Sequence, residues 1–138
     1  MSYETSWLID KRVLYLRIYG TTTIAQGRQM LDEARALCEQ GTPFVYIISD
    51  ATEQTATEFR LQDILEVFRE SAPPIPGVGW SVYVGPGAIE RFFFSVMSQL
   101  TSGKHRAFAT LEEAIAFVQR QDETLPVIPM PVRQPQME

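Results

Sequence analysis

The chain has 138 residues, 45% of them hydrophobic and 21% charged, with a formal net charge of −5. That size and balance fit one globular domain with its own core and exclude a wholly disordered chain. The acidic balance leaves no basic footprint for phosphates, so nucleic acid is not an expected partner, and with neither a leader-like start nor a bilayer-length apolar run, a cytoplasmic protein is expected.

Residues 6–9 and 12–19 are rich in β-branched, aromatic and aliphatic side chains, and the polar pair Asp10-Lys11 separates them, which predicts an antiparallel hairpin. In the second strand Leu14, Leu16 and Ile18 share one face, while Val13, Tyr15, Arg17 and Tyr19 share the other. That mixed second face predicts an edge or near-edge position, and Gly20 is expected to end the strand. Thr23-Ile-Ala-Gln26 has the pattern of a capping box, opening a helix to about residue 40 whose apolar stripe is Ile24, Gly27, Leu31, Ala34 and Cys38. Gly41 follows as a left-handed C′ residue.

Residues 44–49, Phe-Val-Tyr-Ile-Ile-Ser, form an almost unbroken apolar run, the mark of a strand covered on both faces and therefore central and parallel. The small polar stretch 50–57 reads as a connection, and a second helix over 58–70 buries Leu61, Ile64, Leu65 and Phe68. Pro73, Pro74 and Pro76 stop it. A strand over 78–84 leads through Gly85-Pro86-Gly87 into a third helix reaching Leu100, then a short strand over 104–109. Thr110-Leu-Glu-Glu113 caps a last helix with Leu111, Ala114, Ile115 and Val118 on its inner face.

The predicted fold class is α/β: a four-to-five-stranded mixed sheet with four helices in the order ββαβαβαβα. Residues 1–121 form one domain. The tail 122–138, broken by Pro126, Pro129, Pro131 and Pro135, is expected to be extended, outside the domain and dispensable for folding.

Several residues are candidates for chemistry, each with a plain structural alternative. Asp50, at the carboxyl end of the central strand, lies where open α/β sheets place ligands; it is equally a common Asx-turn former. Thr55 and Thr57 read as helix caps, Thr55 with Glu58, rather than as phosphorylation sites. Gly85-Pro86-Gly87 lacks a following Lys-Ser or Lys-Thr and reads as a tight turn, not a phosphate cradle. His105, between Lys104 and Arg106, has no orienting carboxylate in sequence and reads as a surface residue, while Cys38 reads as inert core. One cysteine and one histidine give no basis for a metal site or any cofactor. In the third helix Ile89, Phe93, Val96 and Leu100 define one stripe, from whose centre Phe92 lies about 75° and Phe94 about 125° away at 100° per residue. Phe92 and Phe94 are therefore candidates for a partner or apolar-ligand contact, the alternative being that both pack on neighbouring helices.

The order of elements, with Val-Leu-Tyr-Leu-Arg-Ile-Tyr-Gly (13–20), Tyr-Ile-Ile-Ser-Asp (46–50) and Arg-Ala-Phe-Ala-Thr-Leu-Glu-Glu-Ala (106–114), resembles the sporulation anti-anti-sigma-like (STAS-like) group of bacterial proteins over roughly residues 4–121. In classical members an Asp-Ser-Ser-Gly-type motif opens the second helix and its serine is phosphorylated by a partner kinase. Here the matching stretch is Thr55-Ala56-Thr57-Glu58, so no regulatory residue carries over and the likeness is to the branch without the motif. The resemblance implies a non-enzymatic protein-interaction or regulatory module, acting on a protein partner or on itself as a homodimer. A carrier or sensor of a small apolar ligand, or a membrane-associating protein, is the alternative.

Overall fold

Asp10-Lys11 turns the chain as its polarity suggests: Lys11 takes a left-handed φ of 62°, and Arg12 N–H donates to the Ile9 carbonyl at 3.0 Å. The turn joins β1 (Tyr3–Ile9) to β2 (Val13–Thr22) in antiparallel register, Trp7 opposite Leu14. The computed structural model describes residues 3–57, 77–85 and 104–131. The helices expected over 58–70 and from Gly87 to Leu100, and the proline stop between 71 and 76, lie outside the described residues.

Among the described residues five strands form one sheet in the order β1-β2-β3-β4-β5, with β3 (Val45–Thr57) at its centre, β4 (Val78–Val84) beside it and β5 (His105–Phe108) at one edge. The β2–β3, β3–β4 and β4–β5 pairs are all parallel. The central place expected for the 44–49 run and the near-edge place of the second strand both hold. Phe44 itself stands just outside β3 with 57% of its surface exposed.

Two helices are present among the described residues, α1 (Ile24–Glu39) and α2 (Leu111–Gln121). In α1 the capping box forms in full: Gln26 N–H donates to Thr23 Oγ1, and Thr23 N–H donates to Gln26 Oε1, both at 3.2 Å. At α2, Thr110 accepts from Glu113 N–H at 3.3 Å, but its hydroxyl donates to the Glu113 carboxylate, so only half of the expected box is made. The two helices share the sheet. Leu14, Leu16, Val45 and Ile47 pack with Ala34 and Cys38 of α1; Val13, Tyr15, Tyr46, Ile48, Val82 and Val84 pack with Leu111, Ala114, Phe117 and Val118 of α2. Period two along β2 and β3 sends alternate residues to two covered faces, which is why Val13 to Leu16 and Val45 to Ile48 are apolar without a break.

Five expectations give way. The inner face of α1 is carried by Met30, Ala34, Leu37 and Cys38, and Leu31 is 39% exposed, so the stripe is rotated from the one drawn. Gly41 does not adopt a left-handed backbone; a Cβ there would lie 2.5 Å from Val45 Cγ2 and 3.0 Å from the Lys11 carbonyl, so close approach is what requires glycine. Gly20 does not end β2 but sits inside it at φ 63°, at a register shift. The polar stretch 50–57 is not a connection: it continues β3, paired with 17–22 of β2 through Arg17–Asp50, Tyr19–Glu53, Gly20–Gln54 and Thr22–Thr57. Polar side chains on the two strands satisfy one another, so the ladder outlasts the apolar core.

The fifth concerns the tail. Residues 122–131 do not leave the domain but return along α2 as an extended strap, with Leu125 and Ile128 only 6% and 5% exposed and part of the α2-side core. Gln119 of α2 holds this strap, its Nε2 donating to the Leu125 and Pro126 carbonyls at 3.3 and 3.0 Å and its Oε1 accepting from Ile128 N–H at 2.7 Å. The prolines deny the strap a sheet ladder, as expected, but one side chain supplies the missing partners. Val127 between the two seated residues is 86% exposed.

Candidate functional site

The parallel strands direct attention to their carboxyl ends, where ligands of open α/β sheets bind. Asp50 is there, and it is 2% exposed. Tyr15, from the next strand, donates its hydroxyl to Asp50 Oδ2 at 2.5 Å, while Thr52 N–H and Thr52 Oγ1 donate to Oδ1 at 3.0 and 2.7 Å. Both carboxylate oxygens are thus engaged by neighbours within the domain. The arrangement combines the Asx-type contact foreseen for Asp50 with a buried cross-strand bond, and it fixes the backbone where the sheet narrows.

Beyond Asp50, β3 is paired only to β2 among the described residues. Arg17 bridges them, donating to Glu53 at 2.6 Å and to Glu4 of β1 at 3.3 Å, and its guanidinium lies 4.8 Å from the centre of the Tyr19 ring. The hydrogen bond to Glu53 raises the Arg17 pKa further, against the opposing effect of burial. Gln54 donates to Thr22 Oγ1 at 2.8 Å. Thr21 and Thr55 stand exposed on this ribbon. Thr55 therefore lies within a strand: Ala56 and Thr57, which a cap at Thr55 would require in helical conformation, continue β3, and Glu58 lies outside the described residues.

Next to the ribbon an open groove of about 390 Å³ runs between Thr52, the start of α2 at Thr110 to Glu112, and Met130 and Pro131 of the strap. At the β5 edge, Lys104 stacks over Trp80 at 5.7 Å and Arg106 over Phe108 and Phe117 at 5.3 and 4.9 Å, flanking His105 with two cations as the sequence implied. Gly85 N–H donates to the Phe108 carbonyl at 3.0 Å and so serves the sheet, while Pro86 and Gly87 of the expected tight turn lie outside the described residues. Cys38 is buried under α1, and desolvation pushes its thiol up to about 11, opposed weakly by Arg35. Among the described residues no group of three His, Cys, Asp or Glu side chains is placed to hold a metal, and no helix is long and apolar enough to cross a membrane. Phe92 and Phe94 lie outside the described residues.

One constellation had no place in the sequence reading. At the opposite end of the sheet, Asp122 Oδ2 receives Arg12 Nη2 and the Tyr46 hydroxyl, each at 2.9 Å, while Oδ1 receives Thr124 N–H at 2.8 Å and the Thr124 hydroxyl at 2.5 Å. Arg12 also donates to the Phe44 carbonyl and to Thr124 Oγ1, both at 3.0 Å. The Thr124 contacts, then Tyr46 and Arg12, hold the Asp122 carboxyl below its ordinary value against the cost of burial. Burial first, then the bond to Asp122, pushes Tyr46 up to about 12. The local signal was Asp122-x-Thr124 after a helix, an Asx-turn pattern; its distant partners carry no sequence mark.

Two solved structures share this architecture. An uncharacterised protein of the DUF3478 family with a SpoIIAA-like fold, from Shewanella loihica PV-4, is similar at 19% identity and a TM-score of 0.57, over 83% of this chain and 90% of that one. The anti-sigma factor antagonist SpoIIAA in its unphosphorylated form is similar at 18% identity and a TM-score of 0.56, over 85% of this chain and 97% of that one. No family model and no curated protein matches the chain. The fold is therefore STAS-like, as the sequence resemblance implied.

Proposed function

We propose that this chain is a non-enzymatic regulatory module that works by binding another protein through the β2–β3 ribbon at the carboxyl end of its sheet. The observation that carries the reading is the projection of β3 past its last pairing with β4, at Asp50 and Val84, so that 51–57 are paired to β2 alone among the described residues. Asp50, with Tyr15 and Thr52, stiffens the base of this ribbon, and Arg17 with Glu53 and Glu4 cross-braces it. A braced strand pair with exposed polar side chains is a surface for protein recognition, since its geometry is set before the partner arrives. The similarity to an anti-sigma factor antagonist supports the same class of role, because such a protein acts on another protein.

The two exposed threonines provide the test. Thr21→Arg with Thr55→Arg adds two long cations to the ribbon without touching a buried group, so stability should change by less than about 0.5 kcal/mol per site. In-cell cross-linking with quantitative mass spectrometry should recover a partner with the natural chain and lose it at least about tenfold with the double variant. Equal recovery of the same partners from both would refute the assignment of the ribbon.

A further inference from the structure

We propose that the β5 edge, on the face covered by α2, docks an extended acidic segment of another protein, whose carboxylates at alternate residues meet Lys104 and Arg106. Both side chains are exposed, and aromatic rings hold them from beneath. Trp80 of β4 meets Phe117 of α2 edge-on at 4.9 Å, and Phe117 meets Phe108 of β5 at 5.2 Å, so the three rings form one continuous shelf. Lys104 Nζ lies 5.7 Å from the centre of the Trp80 ring, and the Arg106 guanidinium lies 5.3 and 4.9 Å from those of Phe108 and Phe117. Phe117 is only 5% exposed, which anchors the shelf in the core.

Neither cation has a carboxylate. The chain carries 17 acidic and 12 basic side chains, yet among the described residues the ion pairs are made by Arg12 and Arg17. Stacking engages the flat face of a guanidinium and leaves the N–H donors on its rim, the groups that grip a carboxylate. It also restrains a long side chain in advance, so less rotamer freedom is lost on docking. The Lys104 carbonyl accepts from Ser81 N–H at 2.9 Å, so Lys104 continues the extended edge. Two residues along an extended backbone cover about 6.6 Å, which is also the repeat of alternate side chains in a second extended chain laid beside it. That match sets the spacing of the partner's carboxylates. Cations on an edge strand keep neutral and basic strands away, and an acidic one is what they admit. Two cations on a chain of net charge −5 neutralise too few phosphates to hold nucleic acid.

The test uses a short peptide alternating glutamate and threonine, titrated into the nitrogen-15-labelled full chain at about 50 mM salt and followed by NMR. The amides of His105 to Phe108 and the Trp80 indole N–H should shift together, and the response should weaken as salt is raised. Lys104→Gln with Arg106→Gln should raise the Kd at least about tenfold, and Arg106→Lys, which keeps the charge but loses the fork, about threefold. A peptide of the same composition with its glutamates in one block should bind at least about threefold more weakly. Unmoved edge amides, undiminished binding by the glutamine variant, equal binding of the block peptide, or tighter binding of oligothymidylate would each overturn the proposal. If the glutamine variant does not fold, the shift map of the natural chain and the Arg106→Lys comparison decide.

Discussion

Ile128→Ala, set beside Val127→Ala, measures how far the strap belongs to the core. The two positions are adjacent, yet Ile128 is 5% exposed and Val127 86%. Truncating a buried Ile to Ala costs about 2–5 kcal/mol, the spread reflecting how well the site can close over the lost volume. The strap rests on one face of the domain and can settle inward, which favours the low end, about 2–3 kcal/mol. For a domain of this size each kcal/mol moves the melting temperature by about 4 °C, so Ile128→Ala should lower it by about 8–12 °C. Val127→Ala removes methyl groups already in water and should move it by less than about 2 °C. Urea unfolding followed by tryptophan fluorescence should give the same ordering, Trp80 lying in the cluster that Ile128 joins. An Ile128→Ala chain as stable as Val127→Ala would show that the strap does not dock.

Other perturbations probe separate parts of the account. Gly27→Ala in α1, where an added Cβ meets nothing within 4 Å, should stabilise by about 0.5–1 kcal/mol in thermal melts, while Gly41→Ala should destabilise by about 1–3 kcal/mol because Lys11 backbone stands in the way. Asp122 has a folded pKa below its ordinary 3.8, so its contribution is present above that value and lost as pH falls through the folded one; Asp122→Asn should flatten the loss of stability below about pH 4 and leave the chain less stable at pH 7. An unchanged acid profile in that variant would contradict the hub. Cys38, raised to about 11 by burial, should resist iodoacetamide at pH 8 until the protein is denatured.

The strands were legible where hydrophobic pattern alone decides them. Residues 45–48 are apolar without alternation because both faces of the central strand are covered, and 78–84 was bounded correctly by glycine on either side. Continuation of β3 to Thr57 was not legible, because Asp50 to Thr57 is polar and small, and its pairing depends on Arg17, Thr22 and Tyr19 in a different strand. The strap was misread for a related reason. Its prolines do forbid ladder pairing, but nothing local announces that Gln119 stands opposite to satisfy it. Of the candidate site, Asp50 and its Asx-type contact with Thr52 were visible from a polar residue closing the apolar run; its bond to Tyr15 was not, since that rests on register between strands 35 positions apart.

The claim that the ribbon binds protein is tested most directly by cross-linking the chain in its own cells with Thr21 and Thr55 natural or both changed to arginine. The expected result is a protein recovered with the natural chain and reduced at least about tenfold with the variant, the melting temperatures of the two agreeing within about 4 °C. Undiminished recovery with a folded variant would contradict the claim.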